Sequence, residues 1–230
     1  MIKHIEKRVI RRDFERARFR QTVISPYAVF FLHHQPEMNT VPEANIYADQ
    51  FQSIKKLADS LPPGIKLFVR EHPSTFTYHA DRRWRPKGFY ERITSLPNTH
   101  VCPADLDNFE LIDRALFVAS IAGVCLTEAL ARGKPAVIFF SPRFALFDDE
   151  CVIDANLLRV SDLRKIFDKL ALGERPMNRR KVRESFERVA RFGYDGSQNE
   201  SYLQRSMEET LFNTLRANLL AIRDFLSGRL

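Results

Sequence analysis

Apolar residues along this chain fall in short compact runs separated by amphipathic stretches, the pattern of strands alternating with helices. Five runs read as buried strands: Tyr27–His33, Ile65–Arg70, Thr99–Cys102, Leu116–Ser120 and Ala136–Phe140. The stretches between them repeat at helical spacing. Ile46–Leu61 sets Ile46, Phe51, Ile54, Leu57, Ala58 and Leu61 along one side. Phe89–Ser95 is a shorter helix, and Asp107–Ala115 opens on an aspartate suited to capping. Val124–Arg132 ends at Gly133, with Pro135 just beyond. Residues 2–20 are helical, with a thin stripe of Ile2, Ile5, Val9 and Phe14.

Beyond Phe140 the alternation stops. Ser141–Asp154 reads as a loop, followed by helices at Ser161–Leu172, capped by Ser161 or Asp162, at Arg179–Phe192 and at Ser201–Leu226. The whole predicts an α/β fold, a doubly wound parallel sheet of about five strands with a helical C-terminal extension. Three parts are expected: a basic linker helix over 1–24, the sheet domain over 25–175, and C-terminal helices over 176–230 that pack on it or cross from it.

Composition narrows the class. A chain of 230 residues, 44% hydrophobic and 28% charged, can bury a full core. It shows no apolar run long enough to span a bilayer and no signal peptide. Its three cysteines, Cys102, Cys125 and Cys151, lack metal-ligand spacing and point to a reducing, cytoplasmic setting. The net charge of +7 is uneven. Residues 1–20 carry eight Lys or Arg against three acidic residues, and Arg179–Arg191 carries six against two. Such segments fit either a solvated helix face or peripheral contact with an anionic membrane. Neither has the aromatic interleaving of a single-strand binder, so nucleic acid is not the expected partner.

Candidate chemistry gathers at the carboxyl ends of the predicted strands, where open α/β sheets bind their ligands. After the first strand comes His33-His-Gln-Pro-Glu-Met-Asn-Thr40, rich in functional groups. The second strand runs into Glu71-His72-Pro73, where the proline restrains the backbone of His72. A histidine there can donate to a phosphate oxygen or act as a general acid; a strand-end histidine with a structural hydrogen bond fits the same position. The long loop Ser74–Gly88 sets Arg82, Arg83 and Arg85 beside Trp84, as an anion or sugar contact or as a plain surface loop. Finally Ser120-Ile-Ala-Gly123 turns into a helix whose amino end suits an anion, with Glu128 placed to take ribose hydroxyls. An ordinary strand–helix–strand unit with a solvated Glu128 has the same spacing.

Several of these runs resemble one family. Leu32-His-His-Gln-Pro-Glu37 resembles the Leu-His-Tyr-Gln-Pro-Glu run of bacterial capsule and surface polysaccharide biosynthesis proteins. The resemblance continues through Tyr47-Ala-Asp-Gln50, Arg70-Glu-His-Pro73, Phe89-Tyr-Glu91 and Leu96-Pro-Asn98. It closes with Ser120-Ile-Ala-Gly123, Glu128-Ala129 and Gly133-Lys-Pro135, spanning about residues 28–140.

That family looks like GT-B glycosyltransferases, two Rossmann-like domains with the active site between them. Its His-Pro motif is shared with transferases using CMP-sugars such as those of Kdo and sialic acid. The resemblance implies that this chain is the donor-binding half of such an enzyme. His72 and Pro73 would contact the donor phosphate, with His72 and Glu37 as the catalytic candidates. Ser120 and Gly123 would line the nucleotide, Glu128 would hold the ribose, Gln35 and Glu37 would face the sugar, and His33 is a further candidate for substrate or nucleotide binding. Arg82 and Arg83 remain candidate anion contacts. The expected partners are a nucleotide sugar, CMP-sugar favoured, a glycan or glycolipid acceptor, and an N-terminal half or a second copy of the chain. No metal or other cofactor is implied. Two alternatives stay open: a non-catalytic nucleotide- or glycan-binding module, and a related enzyme such as a nucleotide-sugar epimerase or a CDP-glycerol glycerophosphotransferase.

Overall fold

The computed structural model describes residues 2–24, 26–37, 40–41, 44–77, 82–140, 144, 147–174 and 177–192. The expected helix at Ser201–Leu226 lies outside the described residues. Six parallel strands run in order β3-β2-β1-β4-β5-β6. They are β1 (Tyr27–Phe31), β2 (Lys66–Arg70), β3 (Thr99–Val101), β4 (Val118–Ser120), β5 (Ala136–Ile138) and β6 (Val152–Asp154). This is the doubly wound, Rossmann-like order, and it reverses direction between β1 and β4. The strand β6 is one more than the sequence predicts, inside the stretch read as a loop. With three residues it carries no usable periodicity, and its place is set by pairing with β5.

Helices cover both faces. They are α1 (Ile2–Ala17), α2 (Gln50–Ser60), α3 (Ser74–Thr77), α4 (Phe89–Thr94), α5 (Asn108–Arg114), α6 (Val124–Ala131), α7 (Val160–Ala171) and α8 (Arg179–Phe192). Successive side chains of β1 point to opposite sides, as a pleated strand requires. Ala28 and Phe30 join the core beneath α1, α2, α4 and α7, while Tyr27, Val29 and Phe31 join the core beneath α5, α6 and α8. Both faces are apolar, so these strands read as continuous hydrophobic runs.

Side chains cap α5 and α2, whereas α7 begins at Arg159 with no side-chain cap, not at the expected Ser161 or Asp162. Asp107 accepts from the Glu110 amide at 2.9 Å, as its sequence position predicts, and Asp49 does the same for Phe51 at 3.2 Å. In α1 the buried stripe is Ile10 and Phe14, each 1% exposed, rather than one running through Val9. Phe14 packs against Phe76 of α3 and Tyr90 of α4, at centroid distances of 4.9 and 5.4 Å. The basic helix is therefore part of the core on that face.

Candidate functional site

The reversal of strand order puts the carboxyl ends of β1 and β4 at a switch point, where open α/β sheets form their ligand crevice. The turn Ser120–Gly123 leaves β4 and enters α6 there. Gly123 has φ +115°, outside the range of ordinary L residues, and a Cβ on it would meet His33 Cε1 at 3.2 Å. Its position as N-cap brings no side chain to the amino end of α6, so that end is uncapped, and Val124 beside it is 57% exposed. Uncapped backbone N–H groups with the positive end of the helix dipole favour an anion.

His33, just past β1, fixes that turn. Its Nε2 lies 2.6 Å from the Ala122 carbonyl, 3.1 Å from the Ala122 amide nitrogen and 3.2 Å from Ser120 Oγ. Ser120 Oγ itself donates to the Phe31 carbonyl at 2.9 Å. On the other edge of the ring, Nδ1 is 3.1 Å from Glu37 Oε2. His33 is only 7% exposed, so it shapes the wall of the crevice and brings Glu37 to it.

A buried polar network holds the neighbouring loops. Gln50 brackets His33, accepting its amide at 2.7 Å and donating to its carbonyl at 3.1 Å, and donates also to Gln35 Oε1 at 2.7 Å. Gln35 donates to the Ala48 carbonyl at 2.8 Å across a cis Gln35-Pro36 segment. At the end of β2, Glu71 and Arg85 form an ion pair at 2.6 Å, both fully buried. Tyr90 OH and Thr75 Oγ1 also donate to Glu71, at 2.7 and 3.1 Å. Burial pushes the Glu71 carboxyl up, but the Arg85 charge and hydrogen bonds outweigh it and hold it below the usual range. Burial also drives the Tyr90 phenol well above its ordinary value, which keeps it a donor.

His72 stands on the adjacent loop, its ring centroid 6.0 Å from that of His34. Its Nδ1 accepts the Ser74 amide at 3.2 Å, which leaves Nε2 to carry the proton. Burial lowers His72 below 6.5; Glu37 and Glu71 pull it up, while His34 and His33 push it down. The ring is therefore a neutral donor at physiological pH. Burial pushes Glu37 upward, yet the hydrogen bond and charge of His33, with His72 and His34, leave it below the usual range. An ionised carboxylate and a neutral imidazole donor thus share one edge of the crevice.

The remaining predicted residues divide. Glu128 is half-buried in α6, and its carboxylate takes no protein hydrogen bond among the described residues. Burial raises its pKa, and Arg132, itself engaged by Asp113, opposes that only in part. Pro73 and Arg83 are exposed and Arg82 is half-buried. Gln35 is 4% exposed with its amide engaged on Ala48, Gln50 and Arg85, so it supports the loop from inside instead of facing a ligand. The sequence grouped Arg85 with Arg82 and Arg83 as an anion contact; the structure turns it inward onto Glu71. The signal was there in Glu71, a carboxylate ending a buried strand and so in need of a buried cation. Gln50 was passed over as the last residue of a motif.

A cavity of about 350 Å³ opens elsewhere, between residues 18–23 and α5. It shares no residue with the crevice, and its arginines Arg18 and Arg114 are paired with Glu15 and Glu110. Among the described residues no group of His, Cys, Asp and Glu is arranged to hold a metal ion, and no helix is long and apolar enough to cross a membrane.

No protein-family model matches the chain, and no curated protein does. Solved structures do. The UDP-GlcNAc 2-epimerase of Methanocaldococcus jannaschii is 17% identical with a TM-score of 0.43, over 80% of this chain and 49% of that one. MnaA of S. aureus, in a co-structure with UDP, is 12% identical with a TM-score of 0.42, over 76% and 42%. Anabaena Alr3699/HepE, in complex with UDP-glucose, is 15% identical with a TM-score of 0.42, over 73% and 48%. The chain spans less than half the length of each of these proteins. Its own strand order and register, with helices on both faces, make it an α/β Rossmann-like domain.

Proposed function

We propose that this chain is the donor-binding lobe of a GT-B-type glycosyltransferase of capsule or surface polysaccharide biosynthesis, with a CMP-sugar as the favoured donor. One observation carries the reading: at the switch point between β1 and β4, Gly123 feeds an uncapped helix end against the ring of His33. A donor phosphate fits the amino end of α6, and the neutral imidazole of His72, on the loop after β2, is its candidate donor. Glu128, one turn further along α6, takes no protein hydrogen bond among the described residues and suits ribose hydroxyls. Glu37, ionised and partly exposed, faces the reacting sugar. The cytidine preference rests on the resemblance of His72-Pro73 to the motif of CMP-sugar transferases. A glycan or glycolipid acceptor would be held by a second lobe, covalent or separate.

The test is a thermal-shift panel of CMP, CDP, UDP, ADP and GDP. A nucleotide at a hundred times its dissociation constant adds about 2.7 kcal/mol, a melting shift of roughly 5–11 °C for a domain of this size. CMP and CDP are expected to give the largest shifts. Equal shifts for all bases would remove the cytidine preference, and no shift with any would overturn the nucleotide site.

A further inference from the structure

The loops after β1 and β2 share one last backbone bond, Leu32 N to Arg70 O at 2.9 Å. Beyond it, the side chain of Arg85 bridges them. Its Nη2 donates to the His33 carbonyl at 2.9 Å and its Nη1 to Gln35 Oε1 at 3.3 Å. On the other side Nε and Nη2 hold Glu71 at 2.6 and 2.9 Å. Glu71 Oε1 in turn receives the amide of His72 at 2.7 Å and the hydroxyl of Thr75 at 3.1 Å. One guanidinium therefore carries both arms of the crevice, the arm bearing His33 and Glu37 and the arm bearing His72.

We propose that Arg85 is a positioning residue of the nucleotide site: its fork fixes the His33–Glu37 arm against the His72 arm, so that both meet a ligand as one frame. The proposal rests on the nucleotide reading given above. Only a planar, five-donor cation can serve both directions at once. A lysine ammonium in the same place keeps the charge toward Glu71 and loses the span. A buried ion pair contributes little net stability compared with apolar packing, whereas fixing one arrangement of two loops is a role for which its directionality is suited.

The experiment compares Arg85→Lys with Tyr90→Phe, whose hydroxyl touches Glu71 but not the β1 loop. Each variant is measured for melting temperature, for CMP affinity by calorimetry, and for the imidazole titrations of His72 and His33 by NMR in the ligand-free protein. His72 is a sensitive reporter because Glu37, Glu71, His34 and His33 all act on it. Arg85→Lys is expected to move the His72 titration and to weaken CMP by roughly 10- to 100-fold, as small misplacements of a site do. Tyr90→Phe is expected to lower the melting temperature with titration and affinity close to wild type. Unchanged titration and affinity in Arg85→Lys would overturn the proposal. So would equal changes in both variants at matched loss of stability. Should Arg85→Lys not fold, Gln35→Met, which removes one acceptor of the span together with the bonds of Gln35 to Gln50 and Ala48, is read by the same measurements. If wild type binds no CMP, the function falls and the ligand-free titrations alone decide the positioning role.

Discussion

The ring of His33 lies against the backbone of Gly123, so closely that a methyl group on residue 123 would sit 3.2 Å from Cε1. With φ at +115°, Gly123→Ala combines that contact with a backbone strained for any L residue. That backbone, with ψ at 168°, is one that glycine alone adopts readily, and it costs another residue about 1–3 kcal/mol. A melting loss of roughly 2–12 °C is expected, seen by calorimetry. Nucleotide affinity should fall as well, since the uncapped end of α6 turns on this residue; a variant with wild-type affinity would place the anion elsewhere.

Removing the negative partner from a buried pair differs from removing it at the surface. Glu71→Gln leaves the Arg85 cation buried without its counter-charge, a loss of about 3–5 kcal/mol. Glu110→Gln removes the exposed partner of Arg114, 2.9 Å away, for no more than about 1 kcal/mol. Denaturant unfolding of the two variants reads the contrast directly. Similar losses would mean that the Glu71 network is wet.

Sequence legibility followed the same physics. Strands β1, β2 and β4 and the turn at Gly123 were visible because apolar runs, glycine and proline are local signals. The loops bearing His33 and His72 and the helix bearing Glu128 could be placed for the same reason. The interior role of Arg85 was not visible, because partners 14 and 52 residues away, Glu71 and His33, are chosen by folding and not by spacing. The strand β6 was missed because its existence depends on the edge that β5 offers. In α1 Phe14 is legible as a buried position, whereas Ile10 is buried in place of Val9 because the register is decided by packing on Phe76 and Tyr90.

Acid should destabilise the protein in two stages. His72 is held below 6.5 by burial, so the unfolded chain takes up that proton first, and stability falls as pH drops from about 6.5 toward the folded value. His100, lowered by burial and by Lys66, adds to the same window. Glu37 and Glu71 are held below 4.5, so their contribution stands above pH 4.5 and is lost as pH falls through their folded values. Glu128, raised by burial, acts with the opposite sign, its contribution present below 4.5 and lost as pH rises. Melting curves from about pH 8 to about pH 2 should show both falls, with His72→Gln flattening the first in part and leaving the second. An unchanged first fall in His72→Gln would mean that the ring titrates normally.

Glu128→Gln tests the ribose assignment. A hydrogen bond to a charged group is worth about 1.5–3 kcal/mol, so CMP affinity should drop roughly 10- to 150-fold. The melting temperature of the ligand-free protein should stay near wild type, since no protein hydrogen bond is broken among the described residues. Lower stability with intact affinity would make Glu128 a support for α6.

The outward face of α1 is so basic that the helix looks like an appendage, yet Phe14 sits between Phe76 and Tyr90, and Tyr90 reaches Glu71. A graft that began at the first strand would lift the floor from under the carboxylate that anchors Arg85, the bridge between both arms of the crevice. The transplantable module therefore includes α1. Charge draws a boundary near residue 24, whereas packing carries this lobe at least as far upstream as Ile10.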